Sequence, residues 1–253
     1  MRSNYWFLIR ELAITDFKLR YNNSVLGYLW SLLNPLLMFA VLYLVFSIFM
    51  RFEGVEHYQL YLLLGIILWS YFSEATTNGM TSMQFKANLI SKINFPKWVI
   101  IVASNLTAIL TLVLNLVVFA LFFVFANVTP TLSGFLIIFY LIQLILFSFG
   151  VSLILSSFYL KFRDLTHLWG VILQVGFWLT PIIYPLSIIP EFLRQLLFLN
   201  PMTRIIMDSR AVLIYDTIPT LRHNTITIIM ILVVLIIGYF VFKKRSSKFA
   251  EEI

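Results

Sequence analysis

Long apolar runs, broken by short clusters of charge, set the pattern of this chain. No Asp, Glu, Lys or Arg occurs from Tyr21 to Met50, His57 to Ser73, Trp98 to Leu160, Leu165 to Pro190 or His223 to Phe242. A helix needs roughly 20 mainly apolar residues to cross a bilayer. The 63-residue gap from Trp98 to Leu160 therefore holds two spans, with a turn at Asn127–Gly134 (NVTPTLSG). The pattern predicts six spans: Ser31–Met50, Tyr58–Asn78, Trp98–Ala126, Phe135–Tyr159, Thr166–Tyr184 and Asn224–Phe242. Barrel strands would instead alternate every second residue over about ten residues. The first apolar run is a full span behind a charged segment, which reads as a span and not as a cleaved leader. The expected fold class is an all-α membrane protein with six transmembrane helices per subunit.

Composition and charge add an orientation. Of 253 residues, 61% are hydrophobic and 11% charged, against about 25% charged in a soluble domain. The net charge of +7 suits cytoplasmic loops better than a nucleic-acid surface, so no nucleic-acid partner is expected. With the N-terminus inside, the cytoplasmic segments hold Arg2, Arg10, Lys18, Arg20, Lys86, Lys92, Lys97, Lys161, Arg163, Lys243, Lys244, Arg245 and Lys248. The outside holds Arg51, Arg194, Arg204, Arg210 and Arg222. Thirteen against five follows the positive-inside rule and places both termini in the cytoplasm. The chain has no cysteine, which excludes disulfides and thiolate metal sites.

That orientation puts TPIIYPLSIIPEFLRQLLFLNP, Thr180–Pro201, on the outer side. Pro181 and Pro185 end or kink span five, because proline lacks the amide and clashes with the preceding turn. The run Glu191–Phe198 is too short to cross, and a second short helix is expected near Thr203–Tyr215. Non-helical backbone at membrane depth survives only where protein buries it or water lines it. Two readings stay open for 185–222. One is a re-entrant pair forming an extracytoplasmic gate; the other is a surface loop with two interfacial helices.

On the inner side, residues 1–30 read as an N-terminal amphipathic interfacial segment and 31–253 as the spanning domain. Tyr5, Leu8, Ile9 and Leu12 share one helical face, although Asp16 intrudes on it. A helix at headgroup level and a plain topology anchor both fit. Segment 79–97 mixes Lys86 and Lys92 with Phe85 and Leu89 and breaks at Phe95-Pro96. It fits a short amphipathic helix docking into a partner's groove, or a solvated connector.

The chain lacks a GxxxxGK[ST] loop, so it does not bind ATP in the P-loop way. His57, His167 and His223 lie far apart near span ends and suggest no metal or catalytic set. Glu74 is the acidic candidate within the spans, and ionisable residues there are costly and usually functional. It serves transport, or it reaches the headgroups or a lysine. An ion-coupled carrier would place acids or histidines at midplane and show inverted repeats. Neither is evident, so the energy source is expected elsewhere.

Five short motifs follow one another along essentially the whole chain: Ser24–Pro35 (SVLGYLWSLLNP), Asn88–Pro96 (NLISKINFP), Phe158–Leu165 (FYLKFRDL), Thr180–Pro185 (TPIIYP) and Leu199–Met202 (LNPM). Together they resemble the ABC type-2 export permeases of the polysaccharide and teichoic-acid group. The resemblance implies a homodimer of six-span subunits in the bacterial inner membrane, surrounded by membrane lipid, with two separate nucleotide-binding ATPase subunits. It implies no cofactor on this chain and ATP with Mg on the partner subunit. The implied cargo is an undecaprenyl-diphosphate-linked glycan of O-antigen type; teichoic acid or a small molecule would use the same architecture. In that family pattern the coupling segment, here with Phe85, Lys86, Leu89, Lys92, Phe95 and Pro96, inserts into the ATPase cleft. The short helices between spans five and six, here with Pro181, Pro185, Arg194, Arg204 and Arg210, form the gate. The alternative of another class is a membrane-embedded lipid-linked sugar transferase, with Glu74 or Asp164 as acid–base starting points.

Aromatic residues make up 17% of the chain. Phe39, Tyr43 and Phe46 fall at i, i+4 and i+7 on span one, and Phe177 and Trp178 lie on span five. Flat rings support the apolar C–H faces of sugars without fixing one sugar identity, which makes these five residues the expected substrate path. The competing reading is rings that face lipid or pack between helices. Arg194, Arg204 and Arg210 are placed either to attract a diphosphate or to snorkel to the interface.

Overall fold

Helix boundaries follow the apolar runs and the prolines. The structure, a computed structural model, describes residues 5–20, 26–27, 29–50, 55–92, 95–126, 128–129 and 131–246. Arg2, Ser24, Val25, Tyr28, Arg51, Ile93, Asn94, Asn127, Pro130 and Lys248 lie outside the described residues, as do the outer limits of the expected segments 1–30 and 31–253. The α-helices among the described residues are α1 (Tyr5–Arg20), α2 (Leu29–Tyr43), α3 (Tyr58–Phe85), α4 (Ala87–Lys92), α5 (Trp98–Phe125), α6 (Ile137–Tyr159), α7 (Leu165–Leu179), α8 (Glu191–Leu197), α9 (Pro201–Leu213) and α10 (Leu221–Ser246). A π-helical stretch, Leu44–Phe49, prolongs α2, and a 3₁₀ turn, Leu132–Leu136, leads into α6.

Among the described residues, five continuous helices are long and apolar enough to cross a membrane: Leu29–Phe49, Tyr58–Phe85, Trp98–Phe125, Leu132–Tyr159 and Leu221–Ser246. The protein is an all-α, multi-span membrane protein. The expected fifth span differs. It was drawn to Tyr184, but α7 stops at Leu179 after 15 residues, about 22 Å at 1.5 Å per residue. That is short of a hydrocarbon core of about 30 Å. Pro181 is the reason: a residue before proline is driven out of the helical region, and Thr180 is extended (φ −81°, ψ 135°). The inner segment differs too. α3 runs on to Phe85, breaks at Lys86 (φ −110°, ψ 20°), and leaves only the 6-residue α4 as a separate helix.

α3 is the axis of the bundle and packs against α2, α5, α6, α7 and α9. Lipid is as apolar as leucine, so helices associate through close packing, for which small residues are suited. A Cβ on Gly79 would sit 2.5 Å from Ser152 of α6. The Ser152 hydroxyl donates to the carbonyls of Ala75 (3.2 Å) and Ser148 (2.8 Å). α6 meets α10 in the same way, where a Cβ on Gly238 would lie 2.6 Å from the Gly150 carbonyl oxygen.

α1 lies against α5 through Ile9, Ala13, Val99 and Ala103. Thr107 of α5 donates to the carbonyls of Ala103 (3.2 Å) and Ala13 (3.4 Å). The acid that intrudes on this face has a partner: Lys86 Nζ stands 2.6 Å from Asp16 Oδ1. The N-terminal helix is thereby tied to the segment that joins α3 and α4.

Candidate functional site

Between Leu60 and Met83, α3 keeps six positions that are not fully buried: Ser70, Ser73, Glu74, Thr77, Asn78 and Thr81. All six are polar. They recur at the three- and four-residue spacing that puts side chains on one helical face. From Ser70 to Asn78 this stripe floors a groove with a volume of about 720 Å³. One wall is α2, with Trp30, Ser31, Asn34, Pro35 and Met38; the other is α7, with Gln174, Phe177 and Trp178; Thr111 and Asn115 of α5 complete it. Trp30, Met38 and Trp178 are exposed, so the groove opens to the outside of the subunit between α2 and α7.

Side-chain hydrogen bonds hold these walls to the floor. Asn115 Nδ2 donates to the carbonyls of Ser31 on α2 (3.2 Å) and Thr111 (2.9 Å). Thr111 donates its hydroxyl to Glu74 Oε1 at 3.2 Å. On the other side, Trp169 Nε1 donates to Thr76 Oγ1 at 3.1 Å. Gly176 lets α7 come down on Trp69, whose ring would lie 2.9 Å from a Cβ there. Trp69 then meets Phe177 edge-on at 6.2 Å. Tyr71 also lines the groove, while its hydroxyl is buried and finds no hydrogen-bond partner among the described residues.

Of the expected path residues, Phe177 and Trp178 line this groove and Phe39, Tyr43 and Phe46 do not. Phe39 is only 8% exposed. It stacks on Tyr43 at 5.6 Å and meets Phe122 of α5 edge-on at 5.5 Å, and Tyr43 stacks on Tyr58 at 6.3 Å. Phe46 packs on the same core. The span-one stripe is a packing seam here, because periodicity shows which residues share a face but not what that face meets. The polar stripe of α3 was missed. Its signal is polar residues at helical spacing within Tyr58–Asn78, of which the sequence reading singles out Glu74 alone.

The segment beyond α7 is held from two sides. Arg210 of α9 is 0% exposed. Its Nε donates to the Tyr61 carbonyl (3.0 Å), Nη1 to Pro181 (2.6 Å) and Nη2 to Ile182 (2.8 Å). The guanidinium also lies 3.4 Å from the centre of the Tyr61 ring. Gly65 makes the room, since a Cβ there would stand 2.4 Å from Nη2. The hydroxyls of Tyr58 and Tyr61 donate to the carbonyls of Ile183 (3.0 Å) and Tyr184 (2.9 Å). The carbonyls of Pro181, Ile182, Ile183 and Tyr184, which the prolines remove from helical pairing, are thus satisfied by side chains of α3 and α9.

Arg194 does the same for Ser187 (3.0 Å) and Ile189 (2.7 Å), and Arg204 for Phe198 (2.6 Å). The three arginines expected to attract a diphosphate or to snorkel act here as donors to broken backbone, and Arg210 presents no surface to a ligand. Pro185 starts the extended link into the 3₁₀ turn Leu186–Ile188. Beside this clasp Asp208 is 5% exposed. Its Oδ1 lies 3.2 Å from His223 Nε2, and Arg204 Nη1 lies 3.3 Å from His223 Nδ1. Burial pushes the Asp208 carboxyl up to about 7, against the opposing pull of Arg204.

At the opposite end Phe85 is 82% exposed, Lys92 is exposed and Leu89 and Pro96 are half-buried. Lys86 is committed to Asp16, and Phe95 packs inward against the α1–α5 contact, so neither is offered outward as expected. Among the described residues no group of His, Asp and Glu is placed to hold a metal ion.

Residues 8–214 match the family described as ABC-2 type transporter. The chain belongs to the ABC-2 type transporter family. Two proteins of Klebsiella pneumoniae, each named O-antigen export system permease protein RfbA, are 32% identical to it over 259 residues, covering 99% of this chain and 98% of each relative. A protein of the same name from Myxococcus xanthus is 29% identical over 253 residues, covering 98% of this chain and 96% of that one. In this ABC-2 type transporter the matched region takes in the groove and all of α9 with its Arg210, while α10 follows it.

Proposed function

We infer that this chain is the membrane permease subunit of an ATP-binding-cassette exporter that moves polysaccharide of O-antigen type across the bacterial inner membrane. The observation that carries this reading is the polar stripe of α3. Polar groups are expensive in hydrocarbon, yet between Leu60 and Met83 the accessible positions of the most buried spanning helix are all polar, and those from Ser70 to Asn78 line a groove walled by tryptophans. Amides and hydroxyls there match sugar hydroxyls, while the exposed Trp30 and Trp178 offer ring faces to sugar C–H groups. Family membership and full-length similarity to O-antigen export permeases support the same cargo class.

The rest of the machine follows from what one subunit leaves undone. A second copy facing the open side would close the groove into a conduit, so the working unit is a homodimer. ATP and Mg belong to two nucleotide-binding subunits, which meet segment 79–97 through exposed Phe85 and Lys92 with Leu89. Both termini lie in the cytoplasm. The short α7 and the clasped segment after it complete a sixth crossing, and α8 and α9 within 185–222 form the extracytoplasmic gate. The cargo is a glycan on undecaprenyl diphosphate.

The test uses cells that make such a lipid-linked glycan but lack their own exporter. Surface glycan should return on co-expression of this chain with its ATPase subunit, and should fail with an ATPase that cannot hydrolyse ATP. Surface glycan produced by this chain alone, or none with an active ATPase bound, rejects the reading.

A further inference from the structure

Beyond α7 the chain forms a second hollow, of about 590 Å³, which shares no lining residue with the groove along α3. Leu179 ends α7 there, Tyr184 follows it, Ile188 and Ile189 lie at the 3₁₀ turn, and Leu193 and Leu197 come from α8. These walls are apolar. The Tyr184 hydroxyl is turned back onto the end of α7, where it donates to the carbonyls of Trp178 (2.8 Å) and Leu179 (3.1 Å). No residue of α8 is buried, and among the described residues α8 packs extensively against no other helix. Leu179, Ile188 and Leu193 are exposed, so the hollow stays open within the subunit.

A cation stands beside it. Arg194 of α8 is pinned by Nε to the carbonyl of Ile189, a wall residue, and by Nη2 to that of Ser187. Nη1 has no acceptor among the described residues, and the guanidinium forms no ion pair there. Glu191, one turn earlier on α8, is exposed and is not paired with it. Holding two nitrogens of the guanidinium in advance lowers the ordering cost when the last one binds. Guanidinium groups suit phosphate oxygens in both charge and geometry. An apolar hollow with a fixed cation at its side matches an amphiphile: a hydrocarbon chain for the walls and an anion for the arginine.

We propose that this hollow holds an acyl chain of one anionic phospholipid, with the lipid phosphate on Nη1 of Arg194. The surrounding bilayer supplies such molecules in excess. The bound lipid fills the open side of α8 and fastens that helix to the end of α7, across the stretch where Pro181 and Pro185 deny helical continuity. The site goes beyond the export reading and does not depend on what passes along the groove of α3.

The test uses the full chain in an uncharged maltoside detergent, which brings no phosphate of its own. The probe is phosphatidylglycerol with a photoactivatable group on an acyl chain, added at a low ratio to protein, and labelled peptides are mapped by mass spectrometry. Label should concentrate on residues 188–197. The reference surface is the exposed apolar face of α10 with Ile229, Leu232, Val233 and Ile236, which any loosely bound lipid reaches equally. The matching diacylglycerol, with the same chains and no phosphate, should label the hollow about tenfold less, equivalent to about 1.4 kcal/mol, near the value of a hydrogen bond to a charged group. Arg194→Gln should lower phosphatidylglycerol labelling there by a similar factor and leave α10 unchanged. Leu193→Trp, which fills the hollow and leaves the arginine in place, should lower the labelling with either probe. Equal labelling of the hollow and α10 overturns the proposal, as does hollow labelling that neither loss of the phosphate nor Leu193→Trp reduces. An unlabelled hollow overturns it too. Because the chain has no cysteine, disulfide cross-linking of two Leu193→Cys chains would then identify a second copy as the true cover.

Discussion

Two polar intrusions sit in this apolar bundle, and they are handled in opposite ways. At Arg210 the strongest hydrogen-bond donor in the interior is fully occupied, with three carbonyls and an aromatic face around it. Along the α3 stripe, polar side chains face a groove of about 720 Å³. Polar groups that a fold satisfies internally serve the fold. Polar groups that line a groove can also meet something that passes. The contrast separates structural arginine from working groove more cleanly than residue type does, since an arginine near an outer gate and a serine in a span would suggest the reverse.

The contrast can be broken at its strong end first. Arg210→Met should strand the Ile182 carbonyl and remove one donor each from those of Tyr61 and Pro181, and so destabilise the protein by about 2 kcal/mol or more, at roughly 1–3 kcal/mol for each buried unsatisfied group. Thermal unfolding in nanodiscs measures it. Arg210→Lys should recover only part, because a single ammonium cannot reproduce the planar fork, and Gly65→Ala should act in the same direction by displacing Nη2. A neutral result for all three would remove Arg210 from its structural role.

The groove should respond in the opposite sense. Ser70→Ala combined with Thr77→Val should leave stability within about 0.5 kcal/mol. Export of glycan should fall by roughly fivefold, the equivalent of one lost hydrogen bond of about 1 kcal/mol. Unfolding at lower temperature with unchanged export would reassign the stripe to packing.

A third test concerns pH at the clasp. The Asp208 carboxyl titrates at about 7 in the folded protein against an ordinary 3.8. The folded state therefore holds the extra proton between those values, so stability falls as pH rises through that window and levels above it. Asp208→Asn should flatten this part of the stability–pH curve, while an unchanged slope points to another group. The smallest effect belongs to Lys86 and Asp16. Their partly exposed pair should show a coupling of about 0.5 kcal/mol in a double-mutant cycle. Lys86→Asp should loosen α1 from the α3–α4 junction, and Asp16→Lys in the same chain should restore the contact, followed by cross-linking of the two segments.

Much of the fold was legible because bilayer thickness acts on sequence directly. Runs of twenty apolar residues and the prolines at 181 and 185 are local properties, and they define the long helices and the point where the chain breaks. The α8 and α9 helices also emerged close to their expected limits. Local properties end there. Phe39, Tyr43 and Phe46 form a true helical stripe, but only the placement of α5 decided that it faces protein. Asp16 and Lys86 lie 70 positions apart, so neither one's neighbourhood reveals the other. Arg210 is a buried backbone clasp because Gly65, distant in sequence, leaves it room. What the sequence alone determined is where the long apolar helices run and where the chain breaks, since local solvation and the missing proline amide suffice for that. Which polar groups are satisfied and which face the groove was decided by tertiary structure, because a hydrogen bond needs both partners in one place.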